Sequence, residues 1–296
     1  MSRLPQNDLT PLLLDNTITY YWIGFILADG HYNPRSGFSV TLSSIDQIHL
    51  SKLQQYIKGC PVKKLKKYNK QCYAQVRINF GDKKIAPLVA DKFGIRRDKT
   101  YYPPDLNWIN DKSLFLSLFA GYVDGDGSIE YGMNVKTKNK PATIRFHTHS
   151  SWKPVLNWMR NKLIEFYGYD ITLPVVQKDG YLKWCISDFR LIKKIKIDLD
   201  ELEIPLLYRK WSKINHDYLT LKERTEKDLT VIKNNLHKTS REIEVEYNIP
   251  YYRIIRLRKQ LKESPKQWLR SQGITYGELN LNKRDDKYTR LILSGW

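Results

Sequence analysis

An α+β fold, with one half-domain built twice and a small all-helical unit behind it, is predicted by three observations. A pattern of helix, strand, strand, helix, strand, strand, helix can be read twice along the chain, with a period of roughly one hundred residues. Each copy opens on an apolar stretch seeded with small residues and closed by Asp-Gly: WIGFILADG from Trp22 to Gly30, and FAGYVDGDG from Phe119 to Gly127. From about Leu221 the texture changes to short, charged helical stretches. These place the domains at 1–105, 106–220 and 221–296, the first two as pseudo-symmetric halves facing each other about a twofold axis.

In the first copy, Gly37 to Ser43 alternates as a strand does, and Ile45 to Ile57 carries apolar residues at helical spacing. Strands are predicted over Val62 to Tyr68 and Cys72 to Phe80, then a short helix from Lys84 to Phe93 that Gly94 stops. In the second copy the helix predicted over Ser113 to Asp126 leads to strands over Ser128 to Val135 and Thr143 to His149. Ser151 is placed to cap a helix from Trp152 to Tyr167, whose apolar side holds Val155, Leu156, Met159, Leu163 and Phe166. Ile171 to Gln177 and Tyr181 to Ser187 flank an Asp179-Gly180 turn as a hairpin, and a last helix runs from about Phe189 to Leu199.

The C-terminal part contains a capped helix from Thr239, a break at Asn248-Ile-Pro250 and a second helix dense in arginine. That is the pattern of a helix-turn-helix, whose second helix is the natural reader of a major groove, here through Arg253, Arg256, Arg258 and Lys259. A solvated basic helix face is the plainer alternative. Tyr276 to Trp296 has the pattern of another small unit.

Composition narrows the partner. Fifty basic residues against 31 acidic ones leave a net charge of +19 spread over both parts of the chain, which favours a polyanion, nucleic acid being the usual one. Three cysteines in no CxxC pair and six histidines at no ligand spacing argue against a disulfide framework or a structural zinc site. The absence of a run of about eighteen apolar residues, or of a signal-like N-terminus, predicts a protein of the cytoplasmic, nucleic-acid-containing compartment.

Small residues recur one helical turn apart in both motifs, Gly24 with Ala28 and Gly121 with Gly125. Small side chains let helix backbones approach closely, so the two motif helices are predicted to pack together. Asp29 and Asp126 would then meet at their C-terminal ends, where mutual repulsion and the helix dipoles raise both pKa values unless a cation cancels the charge. Mg²⁺, with Mn²⁺ as a substitute, suits two carboxylates and leaves positions for phosphate and water. A paired acidic site in a basic protein therefore reads as a nuclease centre. Asp124-Gly-Asp-Gly127 also resembles the start of a calcium loop, but the twelfth place holds Val135 instead of Glu.

WIGFILADG and FAGYVDGDG resemble the two motifs of the LAGLIDADG homing endonucleases in their single-chain, two-repeat form, over roughly residues 15 to 220. The resemblance implies two αββαββα halves whose sheets form a saddle on duplex DNA. It implies a monomer that recognises a long target and cuts across the minor groove once per strand, leaving 3′ overhangs. It marks Asp29 and Asp126 as metal-binding catalytic acids. Leu27 departs from the family pattern where an acid is common, whereas Asp124 keeps it, at a position that packs or caps. A basic residue near the end of each half is implied beside the scissile phosphate. Lys99 and Lys210 are the candidates, with Arg97 and Arg209 as competitors. The polar sheet face holding Arg77, Asn79, Arg145, Gln177 and Lys183 is the one that meets bases and phosphates in that family; an ordinary polar sheet surface is the alternative.

His147 and His149 share one strand face and lack further zinc ligands, and Cys60, Cys72 and Cys185 read as small buried residues. A non-cleaving nucleic-acid binder, either an intron RNA maturase or a helix-turn-helix regulator, is the rival function. Retention of both motif acids favours the enzyme.

Overall fold

The computed structural model describes residues 8–59, 61–65, 74–131, 142–214, 221–236 and 238–261. The chain forms two compact units, 1–216 and 217–296.

In the first unit, helix α1 (Thr17–Asp29) leads into strands β1 (Gly30–Asn33) and β2 (Gly37–Ser43), helix α2 (Gln47–Tyr56), strands β3 (Lys63–Lys64) and β4 (Gln75–Phe80), and helix α3 (Ile85–Lys92). The second copy repeats this order with α4 (Lys112–Gly125), β5 (Gly127–Tyr131), β6 (Ala142–His149), α5 (Lys153–Tyr167), β7 (Val175–Val176), β8 (Tyr181–Ile186) and α6 (Phe189–Glu201), followed by the short α7 (Tyr208–Trp211). Each copy makes one four-stranded antiparallel sheet, ordered β1-β2-β4-β3 and β5-β6-β8-β7. The predicted α+β fold with a duplicated half is thus what the chain adopts.

The motif helices start where side chains satisfy their free N–H groups. Asn16 accepts from the Thr19 amide at 2.8 Å, and Asp111 from that of Leu114 at 2.9 Å. Both helices are apolar on every face, so they are buried all round: Thr19 to Ala28 of α1 and Phe115 to Asp124 of α4 are buried without a break. The sheets lie over the remaining core with alternating faces. In β4, Val76, Ile78 and Phe80 point inward while Gln75, Arg77 and Asn79 face solvent; in β8, Leu182, Trp184 and Ile186 are the inward set.

Several details differ from sequence expectation. The helix predicted from Ile45 is preceded by a 3₁₀ turn, Ser44–Asp46, and α5 by another, Ser150–Trp152. Ser151 consequently caps no α-helix: its hydroxyl donates to the Thr100 carbonyl at 2.5 Å. The strand expected over Ile171 to Gln177 shrinks to two residues. Pro174 has no N–H for the ladder, and Thr172 spends its carbonyl on the Trp184 indole at 2.9 Å. Residues 66–68 and 132–135 of two predicted strands, with Cys60, Cys72 and 276–296, lie outside the described residues.

The second unit contains α8 (Leu221–Asn234), α9 (Ser240–Tyr247) and α10 (Tyr251–Leu261) around Ile232, Ile243, Ile249, Ile254 and Leu257. Thr239 and Glu242 form a reciprocal capping box, and Asn248 ends α9 in the left-handed region at φ 53°, which Asn tolerates. Helix α8 has no counterpart among the sequence expectations.

Candidate active site

The two motif helices approach so closely that a β-carbon has no room at their crossing. Built on Gly24 it would fall 2.0 Å from the Leu118 carbonyl oxygen; built on Gly121, 1.9 Å from that of Tyr21. On Gly125 it would lie 2.2 Å from the Ala28 β-carbon and 3.4 Å from Oδ2 of Asp29. The carboxylate of Asp29 therefore reaches over the end of the partner helix, where Asp126 stands as the C-cap residue of α4.

Both acids have pKa values raised above the ordinary carboxylate range. Burial, followed by the Asp126 charge, pushes Asp29 up to about 6, and burial raises Asp126 against the opposing pull of Lys99 and Lys210. Among the described residues no third His, Cys, Asp or Glu joins them in a metal-ligating group. The donor set is two carboxylates, all oxygen, which fits a hard divalent cation that keeps water and phosphate on its remaining positions.

Lys99 and Lys210 sit at these helix ends, in a role that sequence alone did not define. Nζ of Lys99 donates to the Leu27 and Ala28 carbonyls at 2.6 and 2.7 Å. That of Lys210 reaches the carbonyls of Val123, Asp124, Gly125 and Gly127 at 2.6 to 3.1 Å. Each lysine thus satisfies the free carbonyls of one motif helix and opposes the negative end of its dipole. Burial lowers both ammonium pKa values; Asp126 and Asp29 pull Lys99 back up, and Asp124, Asp29 and Asp46 do the same for Lys210.

Asp124 lies at the centre of a buried network. It accepts from the Tyr21 hydroxyl at 2.7 Å, the Leu207 amide at 2.8 Å and the Trp211 indole at 2.8 Å. Burial outweighs these bonds and lifts its pKa to about 6. Nε2 of His49 lies 2.9 Å from the Tyr21 hydroxyl, and burial pulls this imidazole down to about 4, so it is neutral. Asp46, only 5% exposed, takes both Nε and Nη2 of Arg209 at 2.7 and 2.6 Å. None of Tyr21, Asp46, His49 and Trp211 was singled out by sequence. Asp46 and Arg209 are 163 residues apart, and no local pattern links them.

The polar strand residues face outward as a set. Arg77 and Asn79 are exposed, Arg77 pinned to the Thr41 hydroxyl at 2.8 Å, and Lys183 and Gln177 are exposed as well. Arg145 is held by Glu130 at 2.9 Å. His147 stacks on Tyr181, and His149 packs edge-on against Tyr101, so the two imidazoles serve different contacts.

In the second unit the four basic candidates separate. Arg256 is exposed, but Arg253 is buried and ion-paired with Asp228. Arg258 donates to the Lys238 carbonyl at 2.6 Å and to Ser240 at 3.0 Å. The expectation that Arg253 faces a groove is corrected, because its side chain is buried against Asp228 of α8; Arg258 is half-buried, its guanidinium bonded within the unit. The Lys259 side chain lies outside what is described.

No family model matches the chain, and no curated protein does. Among solved structures similar to it are several LAGLIDADG proteins. Full-length DUF199/WhiA from Thermatoga maritima shares 14% identity, covering 83% of this chain and 89% of that one at a TM-score of 0.43. I-SmaMI bound to uncleaved DNA target in the presence of calcium ions shares 14% over 74% and 92% at 0.40. The LAGLIDADG meganuclease I-AabMI bound to uncleaved DNA shares 13% over 80% or more of each chain, namely 81% and 96%, at 0.36. Superpositions this loose establish neither a shared activity nor a shared site.

Proposed function

We propose that this protein is a divalent-cation-dependent, site-specific double-strand DNA endonuclease of the LAGLIDADG homing type, its C-terminal unit adding DNA contacts as a helix-turn-helix. One observation carries the reading: two duplicated helices, in backbone contact, bring two carboxylates together at their adjoining ends, and a lysine closes each helix end. Core packing alone accounts for the glycines but gives no reason to set two mutually repelling acids beside each other in a strongly basic chain.

Asp29 and Asp126 are the residues that would hold Mg²⁺. Bound there, the cation supplies charge neutralisation at phosphorus and a water of lowered pKa. The chain's own groups set the rest. Lys99 and Lys210 keep the helix ends rigid and place positive charge beside the acids, where it offsets charge growing on the scissile phosphate. The Lys210 ammonium has three N–H groups and spends them on backbone carbonyls, so its influence is electrostatic, not proton donation. The outward polar strand residues offer the donors and acceptors that read base edges.

A randomised DNA library tests this. Incubated with Mg²⁺, the protein is expected to produce double-strand breaks at a defined site, each cut adding one water across one P–O bond, and none after chelation. Asp29→Asn and Asp126→Asn are expected to bind that site and leave it intact. Stable sequence-specific binding without any cut would instead identify a binder.

A further inference from the structure

The two lysine-bearing segments are each tied across the molecule to the opposite half, at corresponding places and with unequal strength. Strand β2 ends in the 3₁₀ turn Ser44–Asp46, and β6 in the turn Ser150–Trp152. The Lys210 segment crosses to the first of these turns: Arg209 grips Asp46 through two charge-assisted bonds at 2.7 and 2.6 Å. The Lys99 segment crosses to the second: the Ser151 hydroxyl donates to the Thr100 carbonyl, and Tyr101 meets the His149 ring edge-on at 5.0 Å. One tie is a bidentate ion pair with a buried acid; the other is a neutral hydrogen bond and a ring contact. Charge-assisted bidentate pairs are about twice as strong as neutral hydrogen bonds.

The anchoring within each half is unequal too. Asp124 bolts the Lys210 segment through the Leu207 amide and the Trp211 indole, whereas the matching place in the first motif is Leu27, which offers no carboxylate. Lys210 therefore rests on a segment fixed from both sides, and Lys99 on one that is not.

We infer that Asp46 and Arg209 are positioning residues for one strand cut, and that losing their ion pair turns the double-strand endonuclease into a strand-preferring nickase. This rests on the nuclease reading above. Arg209 is next to Lys210 in sequence, so releasing its side chain removes one of the two anchors of the segment carrying that lysine, lets the lysine shift, and leaves Lys99 and both motif acids in place. The two hydrolyses are chemically separate, each adding one water across its own P–O bond, so one is able to slow without the other.

The test uses the full chain and a supercoiled plasmid carrying the site recovered from the library. The parent is expected to convert it to linear DNA with little nicked circle. Asp46→Asn and Arg209→Gln are expected to accumulate nicked circle, second-strand cutting slowing at least tenfold relative to first-strand cutting. End-labelled substrates should show the same strand left intact in both variants. Arg209→Lys, which keeps one charge-assisted bond, is expected to recover part of the linear product. Thermal melting and gel-shift affinity of each variant separate misfolding from misplacement. If both cuts slow in equal proportion, or if a folded variant linearises the plasmid as the parent does, the ion pair is only structural and the inference fails. A parent that binds the site without cutting overturns the nuclease reading itself, and this inference with it.

Discussion

Asp29 shows how one residue carries both a cost and a use. Its pKa of about 6 in the folded protein stands above the ordinary 3.8, so between those values the native state binds more protons than the unfolded chain. The Asp29 contribution to stability is therefore full below about pH 4, declines as pH rises to about 6 and stays reduced above that. Asp29→Asn should remove this decline and, in metal-free buffer at pH 7, stabilise the protein by about 1–2 kcal/mol, as a shift near two units allows after discounting for partial exposure. Thermal melts of parent and variant across pH 3.5 to 8 check it; saturating Mg²⁺ should raise the parent's Tm at pH 7 and leave the variant's unchanged. Under the proposed function Asp29 holds the cation as a carboxylate, so cleavage should fall away as pH drops below about 6. Gly121 makes the opposite point, since it is pure geometry. With a β-carbon 1.9 Å from the Tyr21 carbonyl oxygen, Gly121→Ala must push the helices apart, and a loss of about 3 kcal/mol or more in denaturant unfolding is expected. An unchanged unfolding midpoint would mean that the helices do not touch there.

At the scale of elements, helix contacts decide which charged residues remain available. Helix α10 reads in sequence as a basic stripe, yet its packing against α8 and α9 turns Arg253 onto Asp228 and Arg258 onto the Lys238 carbonyl. Removing one member of a buried pair leaves an uncompensated charge, so Arg253→Ala should destabilise the C-terminal unit by about 3 kcal/mol or more, well beyond the effect of Arg256→Ala. Hydrogen exchange over 221–261 distinguishes the two, and equal protection in both variants would contradict the buried pair. Arg256→Ala should instead weaken DNA binding without unfolding the unit. Sequence could not separate these arginines because helical spacing alone does not say which neighbours a helix acquires.

For the whole molecule, the net charge of +19 predicts steep salt dependence of DNA binding. If about eight phosphates are neutralised, affinity should fall roughly a thousandfold or more between 50 and 200 mM salt. Deleting 217–296 removes a compact unit and its basic residues, so binding should loosen and the salt slope flatten, while cleavage at the same bonds persists at high protein concentration. A truncated chain that cuts elsewhere would show that the unit selects the site instead of adding affinity.

Read alone, the sequence determined what is periodic or repeated: the duplicated α+β halves, the paired small-residue helices leading to Asp29 and Asp126, the alternating strands with their polar face, and the capped helix from Thr239 with the arginine-rich helix after it. Such features follow from backbone geometry and side-chain spacing, which are local. Only the tertiary structure decided the rest. It turned Lys99 and Lys210 onto the open carbonyls of the motif helices, joined Asp46 to Arg209 and Tyr21 to Asp124, and withdrew Arg253 into a helix interface. Those arrangements arise because buried charges and unpaired backbone groups must find partners wherever the fold brings them, at separations no sequence pattern records.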